Sequence, residues 1–322
     1  MKNARLWPWF LLVVPVLALG LLTGPNGIGL PVWDTPMGRA LFQLRAYRVI
    51  AGFVVGAALA GAGAVLQAVL RNPLADPYVL GVSSGSALGA AIVISLGLAG
   101  RYVFALPLGA FCAALLTLAV VFRLAARNGV LSIYGLILSG VVISSMLSSL
   151  LMLLLSFSDN EGLHSIVWWM LGSLQANSGR VLAGCSVCAA LALGVALALG
   201  RELNALTVGR EMAHHLGVRT RLSIGLALAA ATLATAAAVA LAGLIGFVGL
   251  IVPHAMRNLT GADHRRLLPA SALAGGALLV LCDMFARTLF APREIPVGVV
   301  TALAGGPFFL MLLRRRKPGW VE

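Results

Sequence analysis

The feature that most constrains this chain is a series of apolar runs free of charge, at 6–33, 49–70, 77–100, 102–122, 128–158, 181–200, 222–256 and 295–313. A membrane-spanning helix needs about 20 predominantly apolar residues, and most of these runs qualify. Composition points the same way. Hydrophobic residues make up 60% of the 322 and charged residues only 10%, against about 25% charged in soluble domains. Too little polar surface exists to coat a water-soluble globule of this length. The expectation is an all-α integral membrane protein forming one transmembrane domain over 1–322.

Helices are expected near 7–23, 48–70, 78–99, 103–122, 133–155, 181–200, 268–290 and 295–313. As one helix the 222–256 run would be about 52 Å long, far more than the roughly 30 Å of a hydrocarbon core. Gly243, Gly246 and Gly249 offer break points within it. Two elements, the second short, give ten transmembrane helices with both termini on one side. With a cytoplasmic N-terminus, sixteen of the 23 Lys and Arg fall on the inner side, Lys2, Arg5, Arg71, Arg123, Arg127, Arg201, Arg257 and the Arg314–Lys317 cluster among them. Seven, namely Arg39, Arg45, Arg48, Arg101, Arg180, Arg287 and Arg293, fall outside. That bias obeys the positive-inside rule, and a nine-span chain would put the C-terminal cluster on the wrong side. Lys2 and Arg5 before an apolar run resemble a signal peptide, with Ala18-Leu19-Gly20 a weak cleavage pattern. An uncleaved first helix anchored by Trp7 and Trp9 is the expectation for a chain with so many further spans. The stretch 163–174, with Trp168 and Trp169, is apolar but too short to cross, and reads as an interfacial helix.

The net charge of +13 does not indicate nucleic acid, because the basic residues lie in short clusters between apolar runs and form no basic face. Cys185 and Cys188 have C-x-x-C spacing, but no second pair and no histidine lies near them, so small buried apolar residues are the reading, with no metal site. Small residues recur every four positions at Gly52, Gly56, Ala60, Ala64 and Ala68, at Gly81, Gly85 and Gly89, and at Gly298, Ala302 and Gly306. In lipid, such rows let helix backbones approach closely.

No catalytic constellation is visible. His164, His214, His215 and His264 lie in loops, and His254 follows Pro253. Asp283 and Arg287 are four apart, the spacing of an ion pair on one helical face. A proton- or ion-coupled secondary transporter is the alternative class, and it typically keeps an ionisable residue at mid-membrane. A phosphate-binding loop needs a lysine, and the only lysines are the terminal Lys2 and Lys317. ATP-driven transport would therefore use a separate ATPase holding the ATP and Mg²⁺, with no cofactor on this chain and no enzymatic activity of its own.

The sharpest local signal is Arg71-Asn72-Pro73-Leu74-Ala75-Asp76-Pro77, followed by Tyr78-Val79-Leu80-Gly81-Val82-Ser83-Ser84-Gly85. The prolines force a non-helical turn between two spans. This string closely resembles the FecCD-type permeases, the ABC-importer family for iron-siderophores, haem and vitamin B12. Arg45-Ala46-Tyr47-Arg48, Leu216-Gly217-Val218, Gly246 to Arg257 with Pro253, and Asp263 to Pro269 are similar to the family as well. So are Asp283-x-x-Ala286-Arg287, Glu294-Ile295-Pro296-Val297-Gly298 and Gly305 to Phe309. Together these motifs cover about 44–313 in the family's order.

The resemblance implies a type II ABC-importer permease in the inner membrane of a bacterium. It would work as a homodimer, with two ATP-binding subunits on the cytoplasmic side and a periplasmic substrate-binding protein. It implies coupling to the ATPases through 203–217, with Leu203, Gly209, Arg210, Glu211, Leu216 and Gly217. Arg210 stands where the family often has an acidic residue. It also implies that Arg45, Arg48 and Arg287 receive carboxylates from the binding protein. The alternative to docking is interfacial snorkelling for Arg45 and Arg48, and pairing with Asp283 for Arg287. Ser139, Ser144, Ser145, Ser148 and Ser149 either line a translocation path or bond between helices. The residues do not choose among ferric siderophore, haem and cobalamin.

Overall fold

The computed structural model describes residues 7–24, 27–29, 35–127, 130–174 and 178–314. Lys2, Arg5, Arg315, Arg316 and Lys317, which carry part of the charge argument, lie outside them. Among the described residues the regular elements are helices apart from two short hairpins of two-residue strands. Six helices are long and apolar enough to cross a membrane: α2 (Pro36–Val69), α5 (Ala105–Ala125), α6 (Ile133–Ser156), α8 (Gly179–Ala198), α11 (Thr220–Ala242) and α13 (His264–Thr288). Shorter apolar helices are the Val13–Leu22 part of α1 (Trp7–Leu22), α3 (Val82–Ser95), and the Val297–Met311 part of α14 (Val297–Arg314). The rest are α4 (Leu98–Arg101), α7 (Asn160–Met170), α9 (Gly200–Val208), α10 (Arg210–His215) and α12 (Val248–Thr260).

Helix ends follow local chemistry. The second helix starts twelve residues before the expected 48, because Thr35 caps it by accepting from the Gly38 N–H at 3.1 Å and Pro36 takes the first turn. At about 1.5 Å per residue its 34 residues reach about 51 Å, so one end must project beyond a bilayer. The expected 78–99 helix is broken by Gly81 (φ +83°) and Gly97 (φ +66°) into a 3₁₀ turn Pro77–Leu80, α3 and α4. The expected 163–174 element is α7, shifted towards the N-terminus because Asp159 caps it through the Gly162 N–H and Gly172 (φ +74°) follows it.

The long 222–256 run divides as its glycines suggest. α11 ends at Ala242, Gly243 adopts φ +70°, and α12 begins at Val248. Phe247 is also left-handed, at φ +68°. The Tyr78 hydroxyl bridges this break, donating to the Ile245 carbonyl (3.1 Å) and accepting from its N–H (3.0 Å). The Pro77–Leu80 turn is thereby joined to a backbone that would otherwise leave buried polar groups without partners. Gly249 serves packing instead, because a Cβ there would press on Pro77 and the Leu59 carbonyl.

α2 is the centre of the bundle and packs against α13, α11, α12 and α8. Small residues carry these contacts, Gly56 from the four-residue row and Gly63 beside it. A Cβ on Gly56 would overlap the Gly275 carbonyl, and one on Gly63 the Gly249 carbonyl. Backbone meets backbone there, which is how helices gain dispersion contact where lipid removes the hydrophobic drive.

Candidate functional site

Two polar assemblies lie at opposite ends of α13, whose 25 residues span about 37 Å. The first is a four-membered charge network. Arg48 donates from Nη2 to Asp283 Oδ1 (2.9 Å) and from Nη1 to both Glu294 oxygens (2.9 and 2.8 Å). Arg287 Nε lies 3.0 Å from Asp283 Oδ2. Asp283 and Arg287 are 1% and 2% exposed, against 15% for Arg48 and 35% for Glu294. Arg287 also donates to the carbonyls of Thr23 (3.1 Å) and Gly20 (3.4 Å).

This geometry shows two of the three outward arginines paired with acids of their own chain. Arg287 is buried and committed to Asp283 and the α1 end, so no second protein can reach its guanidinium in this conformation. Arg48 is occupied by two acids of its own chain. Arg45 is half-buried and donates to the Leu22 and Gly29 carbonyls at 3.3 and 3.4 Å, keeping no acid within 4.0 Å among the described residues. The i,i+4 spacing signalled the Asp283–Arg287 pair. The parts of Arg48 and Glu294 had no local signal.

The second assembly joins α9 and α10 to the start of α13. Gly209, at φ +132°, breaks 203–217 into two short helices, and Gly217 (φ +81°) ends the second. Leu203 is fully buried and anchors α9, whereas Leu216 is 65% exposed. Arg210 and Glu211 open α10, Glu211 being exposed and Arg210 half-buried. Asn204, which sequence reasoning passed over, is the connector. Its Nδ2 donates to Asp263 Oδ1 at 2.7 Å, and its Oδ1 accepts from the His264 N–H and lies 2.8 Å from His264 Nδ1. The Asn204 hydrogen bond, with the Arg265 N–H and the charges of Arg265 and Arg266, holds the Asp263 carboxyl below its usual range. Asp263 in turn caps α13.

The serines of α6 do not converge on a cavity. Ser139 and Ser145 donate to carbonyls of their own helix, Ser144 is half-buried, and Ser148 lies 3.3 Å from Ser84 of α3. A cavity of about 1830 Å³ instead opens between α3, α5, α6 and α7, lined by Leu88, Phe157, Asp159, His164, Trp168 and others. None of Ser139, Ser144, Ser145 and Ser148 lines it.

The motif residues hold turns and crossings. Asn72 Oδ1 accepts from the Leu74 N–H (2.9 Å) across Pro73, and Asp76 Oδ1 from the Tyr78 N–H (2.8 Å). Pro253 is buried inside α12. The Pro296 carbonyl accepts from Val299 (3.1 Å) at the start of α14, and a Cβ on Gly298 would overlap the Leu171 carbonyl.

A bundle of apolar helices with charge confined to its ends, crossed by closely packed glycines, defines a polytopic membrane protein. The chain belongs to the FecCD transport family, whose model matches residues 11–315. It is 38% identical to the hemin transport system permease protein HmuU of Yersinia pestis, covering 98% of each chain. It is 44% identical over 85% of its length to the cobalamin import system permease protein BtuC of Halobacterium salinarum, of which 73% is covered. Among solved structures it resembles an inward-facing metal-chelate-type ABC transporter, with 35% identity, a TM-score of 0.87 and coverage of 97% and 99% of the two chains.

Proposed function

We propose that this chain is the permease subunit of a binding-protein-dependent ABC importer that carries a metal chelate (ferric siderophore, haem or cobalamin) across a bacterial inner membrane. The observation that carries the reading is the family match over 11–315, with a hemin permease covered over 98% of each chain and a cobalamin permease over 85% of this one. In this reading α1, α2, α3, α5, α6, α8, α11, α12, α13 and α14 are the ten spans, and both termini are cytoplasmic. Two copies form the pathway. Two ATPase subunits press on α9 and α10, and a binding protein sits at the Arg48 end.

The α9–Gly209–α10 elbow supports coupling, since it is short, exposed on one side, and hydrogen-bonded through Asn204 to the cap of α13. A push there reaches a rigid helix whose far end holds Asp283 and Arg287. Docking falls first on Arg45 and on the exposed edge of Arg48. A carboxylate arriving from the binding protein would compete with Glu294 for Arg48, with Arg287 acting behind through Asp283. Charge-assisted contacts of this kind suit orientation and rapid encounter.

The test is uptake into proteoliposomes containing this chain, its ATPase and its binding protein, with haem, cobalamin and a ferric hydroxamate offered separately. One of the three should accumulate only with ATP and binding protein present. Uptake driven by a pH gradient without the ATPase would mean a secondary transporter instead.

A further inference from the structure

At the corner where α10 turns into α11 lies a groove of about 560 Å³ lined by His214, Arg219, Thr220, Arg221, Leu222, Gly225 and Leu226. Its mouth is cationic, since Arg219 and Arg221 are exposed and, among the described residues, neither has a carboxylate within 4.0 Å. Its floor is apolar. Leu222 and Leu226, one helical turn apart, are 54% and 42% exposed, and a Cβ on Gly225 would meet nothing within 4 Å. The other side of the helix is packed: Ala227, Leu228, Ala231 and Ala234 are all at most 2% exposed. The face that carries Leu222, Gly225, Leu226 and Ala229 stays open from the start of α11.

We propose that this groove binds one anionic glycerophospholipid, its phosphodiester held by Arg219 and Arg221 and its upper acyl chain lying along Leu222, Gly225 and Leu226. Positive-inside topology accounts for charge near a helix end, but not for a groove beside it. The occupant must be anionic at one end and apolar at the other, and it must follow a transmembrane helix into the bilayer. An acidic segment of a water-soluble partner satisfies only the first condition. Basic pockets on the cytoplasmic side of membrane helices suit anionic headgroups for this reason. The inference goes beyond the transport reading and rests only on the cytoplasmic placement of this end of α11.

The experiment is native mass spectrometry of the full-length chain, titrated with dioleoyl-phosphatidylglycerol or dioleoyl-phosphatidylcholine. Wild type should favour phosphatidylglycerol by on the order of tenfold or more, given two guanidinium groups at the headgroup. The Arg219→Gln/Arg221→Gln double variant should lose that preference. Gly225→Phe, which fills the floor and keeps both charges, should lose it too, so the proposal stays open to refutation if the double variant folds poorly. Excess inorganic phosphate or soluble glycerophosphoglycerol should not displace the lipid. Equal binding of the two lipids, a preference that survives in Gly225→Phe, or displacement by phosphate would overturn the proposal. So would a double variant that keeps its lipid preference but no longer binds the purified ATPase, which would assign the groove to that partner.

Discussion

Replacing Asp283 with asparagine removes the carboxylate that two guanidinium groups share. Arg48 Nη2 and Arg287 Nε lie 2.9 and 3.0 Å from its oxygens, and Arg287 is only 2% exposed. Removing one partner of a buried pair costs about 3–5 kcal/mol, because the remaining charge has no solvent to return to. Two features put this case at the low end. Arg287 keeps the Thr23 and Gly20 carbonyls, and Arg48 keeps Glu294. The expected loss is therefore about 3 kcal/mol, or a fall of about 6 °C in the temperature of half-aggregation at about 2 °C per kcal/mol. Asp283→Leu combined with Arg287→Met should recover most of that loss, since neutral groups of similar volume need no counter-ion. The assay is thermal aggregation of the chain in nanodiscs, read by size-exclusion chromatography, for Asp283→Asn, Arg287→Met and the double variant. A double variant less stable than either single, or an Asp283→Asn chain as stable as wild type, would refute the reasoning.

Gly63→Val should abolish accumulation in the membrane, because a side chain would overlap the Gly249 carbonyl, whereas Gly184→Ala, with nothing within 4 Å of the new atom, should accumulate normally. Western blotting of membrane fractions distinguishes them. Tyr78→Phe leaves the Ile245 N–H and C=O without their partner and should cost about 1–3 kcal/mol in the same aggregation assay. Asp76, in the turn after α2, has its carboxyl pushed up to about 6 by burial, against the opposing Tyr78 N–H bond. A folded-state value above the ordinary 3.8 means its contribution is fully favourable below about pH 4 and is lost as pH rises through about 6. Asp76→Asn should flatten that part of the stability–pH curve. Glu294→Gln should tighten binding of the docking protein by freeing Arg48, a change surface plasmon resonance would detect.

The helices were legible in the sequence because hydrophobicity is a property of each segment alone. The break at Gly243 was legible for a similar reason: a run too long for a bilayer must divide, and glycine marks where. The Asp283–Arg287 pair could be read from i,i+4 spacing. The Thr35-Pro36 start of α2 carried a cap signal that the apolar pattern obscured. Other partnerships had no local trace. Arg48 meets Asp283 and Glu294 across 235 and 246 residues, and Asn204 meets His264 across 60. Likewise the α6 serines were open to two readings, and the Ser148–Ser84 contact between α6 and α3 had no local trace.

By itself, then, the sequence determined that this chain lives in a membrane, which segments are helical, and which family's motifs it bears. Only the tertiary structure decided that Arg287 is buried against the carbonyls of Thr23 and Gly20, that Arg48 answers to two acids, and that Asn204 joins the α9–α10 elbow to the cap of α13. Burial in lipid can be summed along one segment. The pairing of a charge depends on which helix ends are brought together, and that is set by where glycine backbones on α2, α12 and α13 touch.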